Sequence, residues 1–208
     1  MYPVFLSINE KPCVVVGGGT VALRKIHELL EAKADVTVIA DVPSQVINEL
    51  SEQGRIKLKI KRFEQSDIEG AFLAFAATDD SEVNAQISES AKRNNTLVNA
   101  VDMPELCDFF SGAVVKRGQL IIAISTSGCC PGIAGQIRKE LEELFPESYI
   151  DYIEAADEMR KHILSQKDMN PTRKRDVLSW LARKETRILF FKSGKEKTWE
   201  KLQKLISS

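Results

Sequence analysis

The sequence predicts an α/β fold, in which a Rossmann-type doubly wound parallel sheet precedes a small β-hairpin and helix region and an all-α C-terminal domain. Strand-like apolar runs alternate with helix-like runs from residue 12 to about 102, as βαβ units do. A glycine-rich turn joins the first strand to the first helix. Only helical patterns follow residue 148. We expect a nucleotide-binding Rossmann domain over 1–112, a dimerisation region over 113–147 and a helical domain over 148–208.

The first βα unit carries the glycine-rich turn. The strand-like run 12–16 leads into Gly17-Gly18-Gly19-Thr20-Val21-Ala22, and a helix is expected over about 20–33. In dinucleotide-binding turns, the first glycine permits the sharp turn, a later one lets the backbone approach a pyrophosphate, and a small third residue allows close helix packing. The helix N-terminus points free N–H groups at the phosphates. The residues predicted to hold the cofactor here are Gly17, Gly19, Thr20, Val21 and Ala22, although a purely structural turn is the alternative.

The second strand is predicted over 36–40 and is followed at once by Asp41. An acidic residue at this place can accept hydrogen bonds from the adenosine ribose, which favours NAD over its 2′-phosphate relative. The alternative is that Asp41 shapes the loop before Pro43. In either case we expect Asp41, Val42 and Pro43 to approach the adenosine half of the cofactor.

The rest of the sheet follows the same alternation. A helix over 44–53 precedes a strand over 55–62, whose alternating lysines indicate an edge position. The apolar run 71–77 predicts a central strand buried on both faces. A helix over 82–93, capped by Asp80 or Ser81, leads to a strand over 96–101. Because ligands bind beyond the carboxyl ends of parallel strands, Thr78 and Asn99 join the predicted cofactor site.

The pattern changes after Pro104. Runs 109–116 and 119–125, joined by Arg117-Gly118, predict an antiparallel hairpin, and a helix is expected over 132–145. Three more helices are expected over 149–166, 171–183 and 196–206. An isolated hairpin is only marginally stable. We therefore expect a homodimer in which the hairpin of a second copy completes the small sheet.

Composition excludes several classes of function. No run approaches the roughly 18 apolar residues of a membrane helix, and the N-terminus lacks the pattern of a signal peptide. The expected location is therefore the cytoplasm. Four cysteines without a CxxC pair and only two histidines argue against a metal site. Residues 151–208 carry a net charge of +5 against −6 for the first 150, but no aromatic residues interleave the basic ones, so no nucleic-acid partner is expected.

One carboxylate at a strand end is the best candidate for acid–base chemistry. Neither histidine lies at a strand end, whereas Asp102 follows the predicted strand 96–101 directly. A partly desolvated carboxylate beside a nicotinamide pocket can act as a general base. The alternative is that Asp102 is only a turn residue before Pro104.

Several motifs occur together and in order over about residues 1–145. They are Val15–Ala22 with Arg24-Lys25, Ala76–Asp80, Val98–Asp102, Cys107–Phe109, Ile122–Gly128, Pro131 and Ile137-Arg138. Together these motifs resemble the precorrin-2 dehydrogenase family, which includes the NAD-dependent dehydrogenase module of siroheme synthases.

The resemblance implies that the chain oxidises precorrin-2, a polycarboxylate tetrapyrrole, to sirohydrochlorin with NAD, in siroheme (porphyrin-type) biosynthesis. It implies that Asp102 is the essential aspartate of the family. One alternative is a bifunctional enzyme that also inserts iron to make siroheme, as some relatives do, and the second is a regulatory domain that senses NAD without chemistry. The residues that the resemblance implies for substrate binding are Ser125, Thr126, Ser127 and Gly128.

The resemblance also marks two departures and one basic surface. The family usually has glycine at the position of Ser127 and serine at the position of Cys130, so Cys129-Cys130 changes the mouth of the implied tetrapyrrole cleft. The anionic substrate leads us to expect an anion-facing wall in the helical domain. The basic residues expected there are Arg160, Lys161, Arg173, Lys174 and Arg175.

Overall fold

The computed structural model describes residues 1–207, and the chain divides into two compact units between Ser111 and Gly112. The division at 147/148 that separates a dimerisation region from a helical domain stays a prediction. The two units are taken in turn.

The first unit is built on a five-stranded sheet in the order β3-β2-β1-β4-β5, with every neighbouring pair parallel. The predicted doubly wound sheet is confirmed. Short 3₁₀ turns at Gln65–Ile68 and Pro104–Leu106 were not predicted. The elements of this unit are β1 (Pro12–Val16), α1 (Thr20–Glu31), β2 (Asp35–Ala40), α2 (Gln45–Glu52), β3 (Lys57–Ile60), β4 (Leu73–Ala76), α3 (Ser81–Arg93) and β5 (Leu97–Ala100).

Two apolar cores lie on the two faces of this sheet. Strand β4 is buried along its whole length, with Phe75 in one core and Ala74 and Ala76 in the other. Strand β3 lies at one edge with three of its four residues exposed. The central and edge positions predicted from the apolar run and from the alternating lysines are both confirmed. At the start of α3, the Asp80 carboxylate accepts hydrogen bonds from the N–H groups of Glu82 and Val83, so Asp80 is the cap.

The predicted strand over 109–116 begins only at Ala113. The preceding residues lie along the outer edge of β5 instead. The Asp108 N–H donates to the Val98 carbonyl at 2.8 Å, and the Asp108 carboxylate accepts the Val98 N–H at 3.0 Å. The ring of Phe109 packs edge-on against Phe75, with 5.4 Å between ring centroids. The apolar side chain of Phe109 therefore belongs to the core of the first unit and not to the hairpin.

The second unit begins with an antiparallel hairpin of β6 (Ala113–Arg117) and β7 (Leu120–Ile124), followed by α4 (Pro131–Leu144). Its turn is Gly118-Gln119, one residue later than predicted. Arg117 is buried, and its guanidinium donates to the carbonyl of Phe145 at 2.6 Å. The hairpin is thus fastened to the end of α4 by one buried cation.

The remaining helices are α5 (Tyr149–Ser165), α6 (Pro171–Leu181) and α7 (Lys184–Ser207), which share a core containing Met159, Ile163 and Leu202. The sequence predicted helix only from 196 in the last stretch, whereas the chain is helical from Lys184. Gly194, with a φ of 85°, breaks α7 into two parts. That break explains why a single periodic pattern does not run through the stretch.

Two of the basic residues expected to face anions are engaged by helix ends. The Arg173 guanidinium donates to the Leu205 carbonyl at 2.9 Å, and the Lys174 ammonium donates to the Gln166 carbonyl at 2.6 Å. Cations at helix C-termini satisfy free carbonyls and interact favourably with the helix dipole. These two side chains therefore stabilise the helical core.

Over residues 1–207, no helix is both long enough and apolar enough to cross a lipid bilayer.

A buried carboxylate closes the loop after β3. The Asp67 side chain is 2% exposed, accepts the Glu64 N–H, and pairs with Lys61 at 3.1 Å and Lys59 at 3.3 Å. Burial acts to raise the pKa of Asp67, but the backbone hydrogen bond from Glu64 and the two lysines outweigh it and hold the pKa below its usual value.

We predict that Asp67→Asn lowers the free energy of unfolding by about 1–3 kcal/mol at pH 7, as loss of a buried charged hydrogen bond does. Because the folded pKa is depressed, the stabilisation is complete above the unfolded pKa and disappears as the pH falls through the folded value. Urea titrations of wild type and variant from pH 7 to pH 3 measure the difference. Asp35→Asn, which breaks the exposed pair with Lys57, is the control and should cost less than about 1 kcal/mol. A difference that does not shrink in acid would contradict the assignment.

Candidate functional site

A cleft of about 790 Å³ opens at the carboxyl edge of the sheet in the first unit. This volume lies within the range of small-molecule sites, and the position is where ligands bind in open α/β sheets. The cleft brings together residues that are far apart in sequence. Its lining residues are Gly17, Gly18, Gly19, Thr20, Val21, Asp41, Val42, Pro43, Ser44, Ala77, Thr78, Asp79, Ser81, Asn84, Val101, Asp102 and Met103.

Steric crowding requires glycine at two positions of the turn after β1. At Gly17, where φ is 136°, a Cβ would lie 2.2 Å from the Ala77 carbonyl oxygen. At Gly18, a Cβ would lie 2.3 Å from the Val42 carbonyl oxygen. A Cβ at Gly19 would meet no atom within 4 Å. Gly17 and Gly18 therefore permit the packing, while Gly19 keeps the floor of the cleft open; the role of Gly18 was not predicted.

The N-terminus of α1 faces the same cleft. Its cap residue, Gly19, supplies no side-chain acceptor, and the first turn contains no acidic residue. The N–H groups of this turn are therefore available to an anion, which the helix dipole favours. Thr20 and Val21, two of the residues predicted to hold the cofactor, line the cleft. Ala22 is fully buried behind the turn, so it allows close packing and does not line the cleft.

The loop after β2 forms the opposite wall. Asp41 is exposed, and its carboxylate accepts the Val42 N–H at 2.9 Å, so it shapes its own loop while lining the cleft. Ser44 binds this wall to the glycine turn, because its N–H donates to the Gly18 carbonyl at 3.0 Å. Ser44 caps α2, but its buried hydroxyl oxygen has no hydrogen-bond partner among the described residues. Sequence reasoning missed Ser44, since it carries no motif.

Behind the cleft, Asn84 of α3 holds Thr78 in place. The Thr78 hydroxyl donates to the Asn84 side-chain oxygen at 2.7 Å, and the Asn84 side-chain nitrogen donates to the Thr78 carbonyl at 3.0 Å. Asn84 is buried. A polar side chain in the first turn of α3 was the signal in the sequence, and we did not identify Asn84 as part of the site.

Asp102 lies at the third position of a tight turn after β5. The Met103 N–H donates to the Ala100 carbonyl at 3.3 Å, and Asp102 has a φ of 60°. Positive φ at this position is unusual for residues other than glycine, but Asp and Asn tolerate it best. Asp102 lines the same cleft as the glycine turn. We expected a partly desolvated carboxylate, but the Asp102 side chain is exposed.

Asn99 does not line the cleft, although it lies three residues before Asp102. Its side chain is buried, and its amide nitrogen donates to the Phe109 carbonyl at 2.9 Å. It ties the chain after β5 to the edge of the sheet.

The predicted substrate residues belong to the second unit, in the turn between β7 and α4. The Ser127 N–H donates to the Ser125 hydroxyl at 3.1 Å, and the Cys130 N–H donates to the Thr126 hydroxyl at 3.2 Å. Ser127 has a φ of 55° and Gly128 a φ of 83°. The turn thus keeps, at Ser127, the conformation that glycine adopts most easily. Its role in substrate binding stays a prediction.

Comparison with known proteins identifies the family. Residues 4–113, more than half of the chain, match a family model described as "Putative NAD(P)-binding". The chain belongs to this NAD(P)-binding family. The siroheme synthase of Methylococcus capsulatus is 43% identical over 161 residues, which are 77% of this chain and 34% of that protein. The siroheme synthase of Photobacterium profundum is 43% identical over 145 residues, 70% of this chain and 31% of that protein.

A solved structure extends the similarity to both units. It is described as "SirC, precorrin-2 dehydrogenase", and the match has a TM-score of 0.83 and 29% identity over 98% of this chain and 100% of that one. This chain spans about a third of the length of the siroheme synthases it matches.

The residues of the cleft fit a dinucleotide. The open space at Gly19 and the free N–H groups of α1 suit a pyrophosphate. Within residues 1–207 the buried Ser44 hydroxyl has no hydrogen-bond partner, and it would gain one by rotating towards a polar ligand in the cleft that Ser44 lines. Within residues 1–207, no group of three or more His, Cys, Asp or Glu side chains is placed to hold a metal ion.

We predict that Ser44→Ala weakens NAD binding about fivefold, because one net hydrogen bond contributes about 1 kcal/mol. Titration calorimetry of the ligand-free protein with NAD measures the dissociation constant. Ser90→Ala is a matched control, since the Ser90 hydroxyl is also buried without a partner but lies outside the cleft. Equal effects of the two substitutions, or no effect of Ser44→Ala, would remove Ser44 from the cofactor site.

Proposed function

We propose that this chain is an NAD-dependent dehydrogenase that oxidises precorrin-2 to sirohydrochlorin. The observation that carries the proposal is the placement of Asp102 and the glycine turn in one cleft. Similarity to a precorrin-2 dehydrogenase structure along nearly the whole chain, and to siroheme synthases, supports this choice of substrate.

The chain's own residues would hold the cofactor in defined ways. The N–H groups at Gly19, Thr20 and Val21 would bind the pyrophosphate, with the dipole of α1 favouring its negative charge. The Asp41 carboxylate would accept hydrogen bonds from the adenosine ribose, and its negative charge would disfavour a 2′-phosphate. When bound, NAD supplies the hydride acceptor.

Asp102 would act as the general base. Dehydrogenation removes a hydride from one carbon of the macrocycle and a proton from another position, so the products are sirohydrochlorin, NADH and one proton. The exposed carboxylate of Asp102 is able to accept this proton and pass it to water. Its turn faces the cleft that the cofactor would occupy.

The substrate's acetate and propionate groups call for hydrogen-bond donors. We propose that the turn of Ser125, Thr126, Ser127 and Gly128 provides some of them. Ser125 and Ser127 are exposed, so their polar groups are accessible to a ligand. Lys174 and Arg173 are engaged by helix carbonyls, and Lys161 pairs with Asp157 at 2.6 Å. Arg160 and Arg175 are left as the cations that stay predicted for this role.

We also propose that the protein is a homodimer formed through its hairpin. On the face of the hairpin that carries Val114 and Ile121, these side chains are 46% and 44% exposed. The same face also carries Lys116, opposite Ile121, and Ala123, opposite Val114, so it is exposed and mostly apolar. A two-stranded sheet with such a face is marginally stable alone. A second copy of the same hairpin would cover that face.

Neither alternative predicted from the sequence is favoured by the geometry. The similarity to a precorrin-2 dehydrogenase structure supports dehydrogenation and not iron insertion. A carboxylate in the cofactor cleft is unnecessary for a domain that only senses NAD. A cytoplasmic location stays a prediction.

We predict that Asp102→Asn lowers kcat at least 100-fold without weakening NAD binding, because the amide keeps the shape and tolerates positive φ but cannot accept the proton. Production of sirohydrochlorin from precorrin-2, followed spectrophotometrically with NAD and with NADP, measures the rate. Asp79→Asn removes another carboxylate from the cleft and should change kcat less than about threefold. A full rate in Asp102→Asn would exclude Asp102 as the base. Tight NAD binding by the wild-type protein without any turnover of precorrin-2 would overturn the proposed function.

We predict that Ile121→Lys converts a dimer into a monomer, because a buried ammonium without a partner opposes association. Sedimentation velocity measures the mass of each form. Ile133→Lys, at an exposed position of α4 outside the hairpin, is the control for added charge. A wild-type protein that sediments as a monomer at micromolar concentration would contradict the proposed dimer.

A further inference from the structure

The turn that carries Asp102 is held by a side chain from outside it. The sulfur of Cys107 lies 3.2 Å from the Ala100 nitrogen, 3.2 Å from the Ala100 carbonyl oxygen and 3.4 Å from the Met103 carbonyl oxygen. Ala100 and Met103 are the two ends of this turn. A single thiol therefore bridges both ends, with Asp102 between them.

The position of Ala100 at the sheet edge explains why a side chain is needed. Strand β5 is the last strand of the sheet, so its outward N–H groups have no neighbouring strand. The sulfur of Cys107 accepts the outward N–H of Ala100, and its S–H is within reach of the two carbonyls. The Asn99 side-chain nitrogen also donates to the sulfur, at 3.6 Å. The thiol thus replaces the strand that would otherwise fix this backbone.

The backbone at Asp102 depends on such support. Its φ of 60° lies in a region that few residues other than glycine adopt. A residue in that region persists only where the surrounding structure fixes it. The hydrogen bond that closes the turn is long, at 3.3 Å. The Cys107 thiol supplies the second connection between the ends.

We propose that Cys107 is a positioning residue, whose thiol fixes the turn and so orients the Asp102 carboxylate for proton transfer. The proposal rests on the proposed function, in which Asp102 is the base. Cys107 does not line the cleft and contacts neither cofactor nor substrate in this assignment.

The protonation state of Cys107 suits this role. Burial is the largest cause that raises the pKa of the thiol, and the carboxylates of Asp108 and Glu105 add to it, while the hydrogen bond with Ala100 acts in the opposite direction. The raised pKa keeps the thiol neutral at pH 7. A neutral thiol retains the S–H that donates to the carbonyls.

The first test needs no cofactor. In the ligand-free protein, Cys107→Ala should speed the hydrogen exchange of the Ala100 amide at least tenfold, as measured by NMR, because that N–H loses its acceptor. Ser88→Ala is the matched control, since the buried Ser88 hydroxyl donates to the nearby Leu106 carbonyl but does not contact the turn. Faster exchange at Ala100 in both variants, or in neither, would overturn the proposal.

The second test separates positioning from general stability. Cys107→Ala should lower kcat about tenfold and change the KM for NAD less than twofold. Cys107→Ser keeps a donor and an acceptor, so it should recover most of the rate. If Cys107→Ala does not fold, Cys107→Val, which fills the space without a donor or an acceptor, replaces it in the exchange and kinetic measurements, and Cys107→Ser remains the rescue variant. In an Asp102→Asn background, Cys107→Ala should cause no further loss.

The outcomes distinguish the two proposals. Losses that multiply in the double variant would show that Cys107 acts independently of Asp102, which overturns the positioning role and leaves the base intact. A full rate in Asp102→Asn would exclude Asp102 as the base and would therefore also exclude the positioning role of Cys107. The hydrogen exchange of the Ala100 amide would still report whether the thiol holds the turn.

Discussion

The contact between the Ala77 carbonyl and Gly17 is the constraint on which the cleft depends. A side chain at Gly17 would place its Cβ 2.2 Å from that oxygen, and the two strands meet there because the Ala77 N–H donates to the Val16 carbonyl at 2.8 Å. A second close approach, between Gly18 and the Val42 carbonyl, brings in the loop after β2. With these loops in contact, α1 begins at the edge of the sheet. Its free N–H groups therefore open into the cleft and not into bulk solvent.

Strand β4 connects the glycine turn to the turn that carries Asp102 on the other side of the cleft. It pairs with β1 on one side and β5 on the other. Its last residue, Ala76, accepts the Val101 N–H at 2.9 Å, one residue before Asp102, while Ala77 meets the glycine turn. Ala76, the last residue of β4, and Ala77, the residue after it, thus set the positions of the glycine turn and of the Asp102 carboxylate. A change that shifts β4 would move both together, so the chemistry depends on a strand that contributes little of its own side chains to the cleft.

Much of this fold could be predicted from the sequence because burial produces local patterns. The continuous apolar run of β4 reflects its central position, and the alternating lysines of β3 reflect its edge position. The sequence predicts both positions correctly. Phe109 was assigned to a strand because its apolar side chain fits that pattern, but it packs against Phe75, about thirty residues earlier. Ser44 and Gly18 escaped prediction for a similar reason. Their importance comes from tertiary contacts with residues elsewhere in the chain, and no local pattern records such contacts.

Asp102 and Ser127 are two of the residues other than glycine that have positive φ, and their turns show different balances between conformation and chemistry. At Ser127 the family that this chain resembles usually has glycine, yet the φ of 55° is kept. The conformation matters there more than the residue, and the Ser125 hydroxyl, which accepts the Ser127 N–H, helps to hold it. At Asp102 glycine would also relax the backbone, but it would remove the carboxylate that the proposed reaction requires. An aspartate at this position keeps the proposed base but leaves the backbone strained. The strain explains why the turn has a second connection through Cys107.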